Sequence, residues 1–446
     1  MVEARRAAQW VIGLGVGSAW AGRRLMRTST FYDEWTIVGQ TLRSHPWEAA
    51  WTSFNGHLWL FQDAAYRIQL HMGGVDVRWV VVALQLAALA ALHAVFARVA
   101  MIAGAPLSIA LLGGLAVVYM GMAPQNWVFV VQWPAIASLA FALAACGLVV
   151  AGPVEPSRSA AVGLLLLAAV VVESGSGTIG VAMAAAVAAV CWGRRAVRSL
   201  LPAVAVLGGW YLLADPGPRF PSSLGRQLRF GTALLSRSAG GLLGLGPWLG
   251  AVMVLLVAAG SVWVLRSGRV PLASRALVVG GCVGAVVAVA AIARSRAGLP
   301  GFSFFDSNRY LFPVAVPFAV AAAPVVVEVV GRIPARIDGV ARHRVAWVAV
   351  GVLLASGVVI GQRVEANWSP AFLAANEAVR SGVQSTALLL RDGCPGGGPP
   401  QLDALPLGSL SPQVSVGLVA ELMDEGRLAI DDESTVDAAI AADVCP

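Results

Sequence analysis

Nothing limits the fold of this chain more than its long apolar runs. They lie near 7–22, 78–97, 105–122, 128–151, 159–173, 177–192, 199–214, 242–265, 276–293, 310–330 and 345–362, built mostly of Ala, Val, Leu and Gly. Many approach the roughly 20 residues that a helix needs to cross hydrocarbon. In lipid a backbone must pair its own amides within a helix or close into a barrel. A barrel requires alternating polarity along each strand, which these runs lack. The reading is an all-α polytopic membrane protein with about 11 transmembrane helices. Only 12% of residues are charged, against about a quarter in soluble domains.

Charge placement sets the expected orientation. The chain has no lysine, and its 31 basic residues are all arginine. This bias, with abundant Ala, Val and Gly, fits a GC-rich bacterial coding sequence. With a cytoplasmic N-terminus, the inner loops hold Arg5, Arg6, Arg98, Arg158, Arg194, Arg195, Arg198, Arg266, Arg269, Arg275, Arg332, Arg336, Arg342 and Arg344. Basic residues favour the cytoplasmic side, so the net charge of +7 is assigned to orientation. No basic block with interleaved aromatics resembles a nucleic-acid surface. Residues 1–22 read as a retained span, because Arg23-Arg24 would be unusual directly after a cleaved signal.

An odd number of spans divides the chain into a transmembrane domain, 1–362, and an extracytoplasmic tail, 363–446. The tail is richer in Asp, Glu and Pro, with a loop at Gly393-Cys394-Pro395-Gly396-Gly397-Gly398. Helices are expected over 370–383 and 412–425 and a strand over 385–390, which together make a small α/β appendage. Cys394 and Cys445 would face an oxidising compartment, where they can pair. Cys146, Cys191 and Cys282 fall in apolar runs and read as packing residues.

The first outer loop is the chemically dense segment. It reads Phe31-Tyr32-Asp33-Glu34-Trp35 at its start, then Phe54-Asn55-Gly56-His57, then Asp63. Trp35, Val38 and Leu42 share one helical face, and Trp47, Ala50, Trp51 and Phe54 repeat the pattern after Pro46. Two amphipathic helices in the membrane interface account for this. Asp33 and Glu34 then either cap the first helix or carry chemistry.

An acidic pair just past the first span, on the outer face, resembles the GT-C superfamily of membrane glycosyltransferases. "SNRYLFP" at 307–313 looks like a further piece of that pattern. The resemblance implies a polyprenyl-phosphate sugar as donor and a glycan, lipid or protein hydroxyl as acceptor. It implies Asp33 as general base, with Glu34 the second candidate, and His57 and Asp63 as polar contacts to substrate. Transfer would invert the anomeric carbon. No cofactor beyond the lipid-linked sugar is expected, and a divalent metal is left open.

A departing lipid phosphate needs a cation nearby. Arg226 and Arg229 share a helical face in loop 215–241, and Arg309 precedes Tyr310 at the mouth of a span. Arginine's fork suits phosphate oxygens. These residues, with Arg294 and Arg296 of loop 294–309, form the expected donor-binding set; Arg219 and Arg237 read as headgroup contacts, since outer arginines also bind headgroups. Glu173, before Ser-Gly-Ser-Gly, is a further candidate, because acids within membrane segments are costly and often functional. No phosphate loop, dinucleotide motif or zinc spacing is present. A transporter or flippase, a polymerase for lipid-linked glycans, and a non-enzymatic assembly subunit are the rival readings.

Overall fold

The structure is a computed structural model that describes residues 2–28, 30, 33–48, 52–53, 57–214, 220–302, 308–332, 339–408, 411–431 and 434–445. In chain order its helices are α1 (Val2–Leu25), α2 (Asp33–Arg43), α3 (Leu60–Gly73), α4 (Trp79–Ile102), α5 (Leu107–Val118) and α6 (Gln125–Val128). Then follow α7 (Trp133–Val150), α8 (Pro156–Val172), α9 (Ser174–Trp192), α10 (Val197–Leu213), α11 (Leu224–Gly241) and α12 (Pro247–Arg266). The last are α13 (Leu272–Arg296), α14 (Phe312–Gly331), α15 (Gly339–Asp392), α16 (Val416–Asp424) and α17 (Ala438–Val444).

Seven helical stretches among the described residues are long and apolar enough to cross a membrane. They are Trp79–Ile102, Val130–Val150, Ser174–Leu213, Pro247–Arg266, Leu272–Arg296, Asn308–Gly331 and Arg344–Asp392. Leu107–Val118 and Pro156–Val172 are apolar but shorter. The chain is a helical membrane protein. Ser174–Leu213 runs for 40 residues and is interrupted at Gly193, whose φ of 57° lies in the left-handed region that glycine tolerates.

The chain forms two compact units. The first comprises Met1–Ala21, Trp51–Trp59 and Gln85–Glu365, and the second Gly22–Ala50, Leu60–Leu84 and Ala366–Pro446. The expected division at 362 falls close to Glu365, but the second unit also takes in most of the opening loop.

In the first unit α13 packs against both α9 and α14. Lipid gives helices no hydrophobic gain for pairing, so close backbone approach holds them together. A methyl group on Gly281 would lie 2.5 Å from the Ala321 nitrogen and 2.6 Å from the Pro317 oxygen. Any larger side chain there would force these backbones apart, at a cost of about 1–3 kcal/mol or more. The contacts also fix direction. Gly280 meets Val187, and Gly284 meets Met183, so α9 and α13 are antiparallel. Gly281 meets Ala321, and Gly284 meets Pro317, so α14 is antiparallel to α13 as well. On α11, Gly231 lies against Val289 and Ala293. The start of α9, the end of α13 and the start of α14 therefore share one end of this bundle. Arg194, Arg195, Arg275 and Arg332 mark the other.

In the second unit α2 packs on α3. Cys394 and Cys445 are joined, with their Cα atoms 5.7 Å apart and 51 residues apart in sequence. Closing a loop of that length restricts the unfolded chain by roughly 4 kcal/mol in the chain-entropy account.

The tail corrects the expected α/β appendage: no strand occurs among its described residues. Residues 385–390 continue α15, a helix of 54 residues. Ser385, Thr386, Ala387, Leu388 and Leu389 are all buried, so no polar face remains to reveal a helical period. The Thr386 hydroxyl donates to the Gly382 carbonyl at 2.8 Å, one turn back. The expected helix at 412–425 is present as α16. The first of the two expected amphipathic helices is present as α2, with Trp35 and Val38 of its apolar face buried within the protein. Of the second, residues 46–48 form a turn, with Trp47 exposed, and Ala50, Trp51 and Phe54 lie outside the described residues.

Candidate functional site

The second unit contains the acidic pair. Asp33 and Glu34 open α2 in its first turn, where carboxylates meet the positive end of the helix dipole. Asp33 is half-buried, whereas Glu34 is 4% exposed. Arg78 Nη2 donates to both Glu34 oxygens, at 2.8 and 3.1 Å. The Tyr66 hydroxyl donates to Glu34 Oε1 at 2.7 Å. Burial, and then the Glu34 charge, push the Tyr66 hydroxyl well above its usual range, so it stays a donor; the charge of Asp33 acts on it in the same direction. Arg78 also binds the Thr28 hydroxyl at 2.8 Å and the Thr28 carbonyl. Asp33, Glu34, Tyr66 and Arg78 thus form one electrostatic group.

Beside this group lies a cavity of about 380 Å³ that Trp35, Asp76, Arg78, Arg380 and Thr30 help to line. The Arg78 side chain is 9% exposed, and its Nε has no hydrogen-bond partner. A buried donor of this kind costs about 1–3 kcal/mol when unsatisfied. Asp63, expected as a substrate contact, is instead occupied within this unit: it accepts from Arg67 Nε at 2.7 Å and from the Thr41 hydroxyl at 2.8 Å.

The first unit contains the remaining candidates. Glu173 sits in extended backbone between α8 and α9 and caps α9, accepting from the Gly175 amide at 2.7 Å and from the Ser176 amide. His57 Nδ1 lies 2.9 Å from Glu173 Oε1. The Leu58 amide donates to Ser174 Oγ at 3.0 Å and fastens the segment after His57 to the same helix end. The carboxylate thus faces the His57 ring on one side and two backbone amides on the other.

With Glu173 capping α9 and the Leu58 amide fastened to Ser174, hydrogen exchange at the Leu58 amide should be slow at pH 5. Glu173→Gln should make it fast at pH 5. An unchanged rate in that variant would mean that Glu173 does not hold the junction.

Arg309 and Tyr310 follow Asn308 in a 3-10 turn at the mouth of α14. The Gln125 amide donates to Asn308 Oδ1 at 3.2 Å, and the Arg309 amide donates to Gln125 Oε1 at 3.2 Å. Two guanidinium groups flank the Tyr310 ring, Arg309 at 5.4 Å and Arg296 at 5.5 Å from its centroid. Phe302 and Phe230 extend the aromatic row, and Phe230 adjoins Arg229 on α11. Arg226 and Arg229 are exposed on α11, as their shared face requires. Helix directions put Glu173, Arg296, Arg309 and the start of α11 at one bundle end, away from Arg194 and Arg332.

Arg78 was not among the expected site residues, whereas Arg296 was expected as one of the arginines of the candidate phosphate set. Arg78 stands alone before Trp79, in a loop where orientation demands no positive charge, and that was the available signal. Arg296 was one of several loop arginines, and nothing local distinguishes it. Among the described residues no group of three or more His, Cys, Asp or Glu could hold a metal. No protein-family model matches the chain, and no curated protein or solved structure matches it significantly.

Proposed function

We propose that this protein is a glycosyltransferase of the cell membrane that moves a sugar from a polyprenyl phosphate to an acceptor hydroxyl. Eleven helices cross the bilayer in this reading, with the N-terminus cytoplasmic and residues 363–446 outside. The observation that carries it is the pair of cations on Tyr310, together with Arg226 and Arg229, at the bundle end opposite the arginine-rich inner loops. Cations fixed around an aromatic ring can receive a phosphate as it departs. Asp33 takes the acceptor proton as the hydroxyl attacks. Glu34 is committed to Arg78 and Tyr66 and acts by holding the first turn of α2. The cavity beside Arg78 offers donors and acceptors suited to acceptor hydroxyl groups. His57, oriented by Glu173, is a polar contact.

The experiment supplies the full chain, in lipid nanodiscs, with a panel of polyprenyl-phosphate sugars and with envelope glycans as acceptors. Transfer should appear with one donor. Arg296→Ala and Arg309→Ala should each raise the donor KM tenfold or more, as for loss of a hydrogen bond to a charged group, worth about 1.5–3 kcal/mol. Arg266→Ala, at the opposite end, should leave KM unchanged. No transfer from any donor, with an unchanged glycolipid profile in a deletion strain, would overturn the proposal.

A further inference from the structure

At the end of the first unit remote from Tyr310, α8 and α10 leave a groove of about 880 Å³. Small-molecule sites span roughly 300–1,000 Å³. The groove wall is apolar, with Gly163, Leu164, Leu167 and Pro202 along it. Leu164 is 67% exposed, so protein does not cover this wall. Its mouth carries Arg194, Arg195 and Arg198 against one acid, Glu155. None of these four forms an ion pair with a described residue. Ser159 and Ser199 satisfy each other at 2.6 Å, and Arg158 is turned onto the Pro153 carbonyl.

Three guanidiniums at the mouth of an apolar groove, between membrane helices, match a molecule with an anionic head and a hydrocarbon chain. Guanidinium forks fit phosphate oxygens, and basic pockets between membrane helices receive anionic headgroups. We infer that this groove holds one anionic phospholipid, its phosphate on Arg194, Arg195 and Arg198 and an acyl chain along the Gly163–Leu167 face. A zwitterionic lipid would bring a second, like charge to the same arginines. The site is separate from the proposed transfer chemistry and stands whether or not that reading does.

Native mass spectrometry of the detergent-purified full chain, with phosphatidylglycerol or phosphatidylcholine added, tests this. The wild-type chain should retain one phosphatidylglycerol and at least tenfold less phosphatidylcholine. Arg194→Ala/Arg195→Ala/Arg198→Ala should lose that retention. Leu164→Trp, which leaves every charge in place and fills the wall, should lose it too. Arg266→Ala/Arg269→Ala, which removes charge at the same bundle end outside the groove, should retain it. Equal retention of both lipids, undiminished binding in the triple variant or in Leu164→Trp, or an equal loss in the Arg266/Arg269 control would overturn the inference.

Discussion

Replacing Asp33 by asparagine should lower sugar transfer by about 10²–10⁴-fold, the range expected for loss of a general base, while the helices form as before. The substitution separates the two roles open to this residue. Asparagine caps a helix about as well as aspartate, so a purely structural Asp33 predicts near wild-type turnover. Asparagine cannot accept the acceptor proton, so a catalytic Asp33 predicts its loss. The readout is initial transfer rate at saturating donor, with circular dichroism and donor binding measured alongside. Donor should still bind, because the proposed phosphate contacts lie on Arg296 and Arg309. Normal turnover in Asp33→Asn would remove Asp33 from the mechanism.

The second large effect concerns stability. Glu34→Ala should destabilise the second unit by about 3–5 kcal/mol, because it leaves the buried Arg78 charge uncompensated. The Tyr66 hydroxyl loses its acceptor in the same step. Arg78→Met should also destabilise, since it strands the Glu34 carboxylate. The double variant Glu34→Leu/Arg78→Met should recover much of the loss, because replacing both members of a buried pair by apolar groups is often close to neutral. Hydrogen exchange of the α2 and α3 amides reads these differences. Additive single losses, with no recovery in the double variant, would show that the pair is not the source of the effect.

The seven long apolar stretches were legible because their signal is local: apolar length alone decides it, and the expected runs 7–22, 105–122 and 159–173 are not among them. The break between α8 and α9 was visible too, since Glu173 interrupts two apolar runs. Its capping role was not, because that depends on where the Gly175 and Ser176 amides point. The tail strand was misread for an energetic reason. Val383 to Leu389 is buried on every side, and a segment covered all round loses the pattern that separates helix from strand. Helix α3 was missed because its polar residues Gln62, Asp63 and Gln69 are themselves buried, which inverts the usual in–out pattern. At the sites, residue types were readable and partners were not. Glu34 and Arg78 are 44 residues apart, and no local rule joins them. Asp63 looked like a ligand contact only until Arg67 and Thr41 were found on it.

The covalent link between Cys394 and Cys445 has a consequence for how the tail responds to proteolysis. A peptide bond cut anywhere between these two positions releases nothing, since both fragments stay tied through sulfur. The tail can thus be nicked and still remain whole on a gel run without reductant, and only after thiol treatment would the wound become visible.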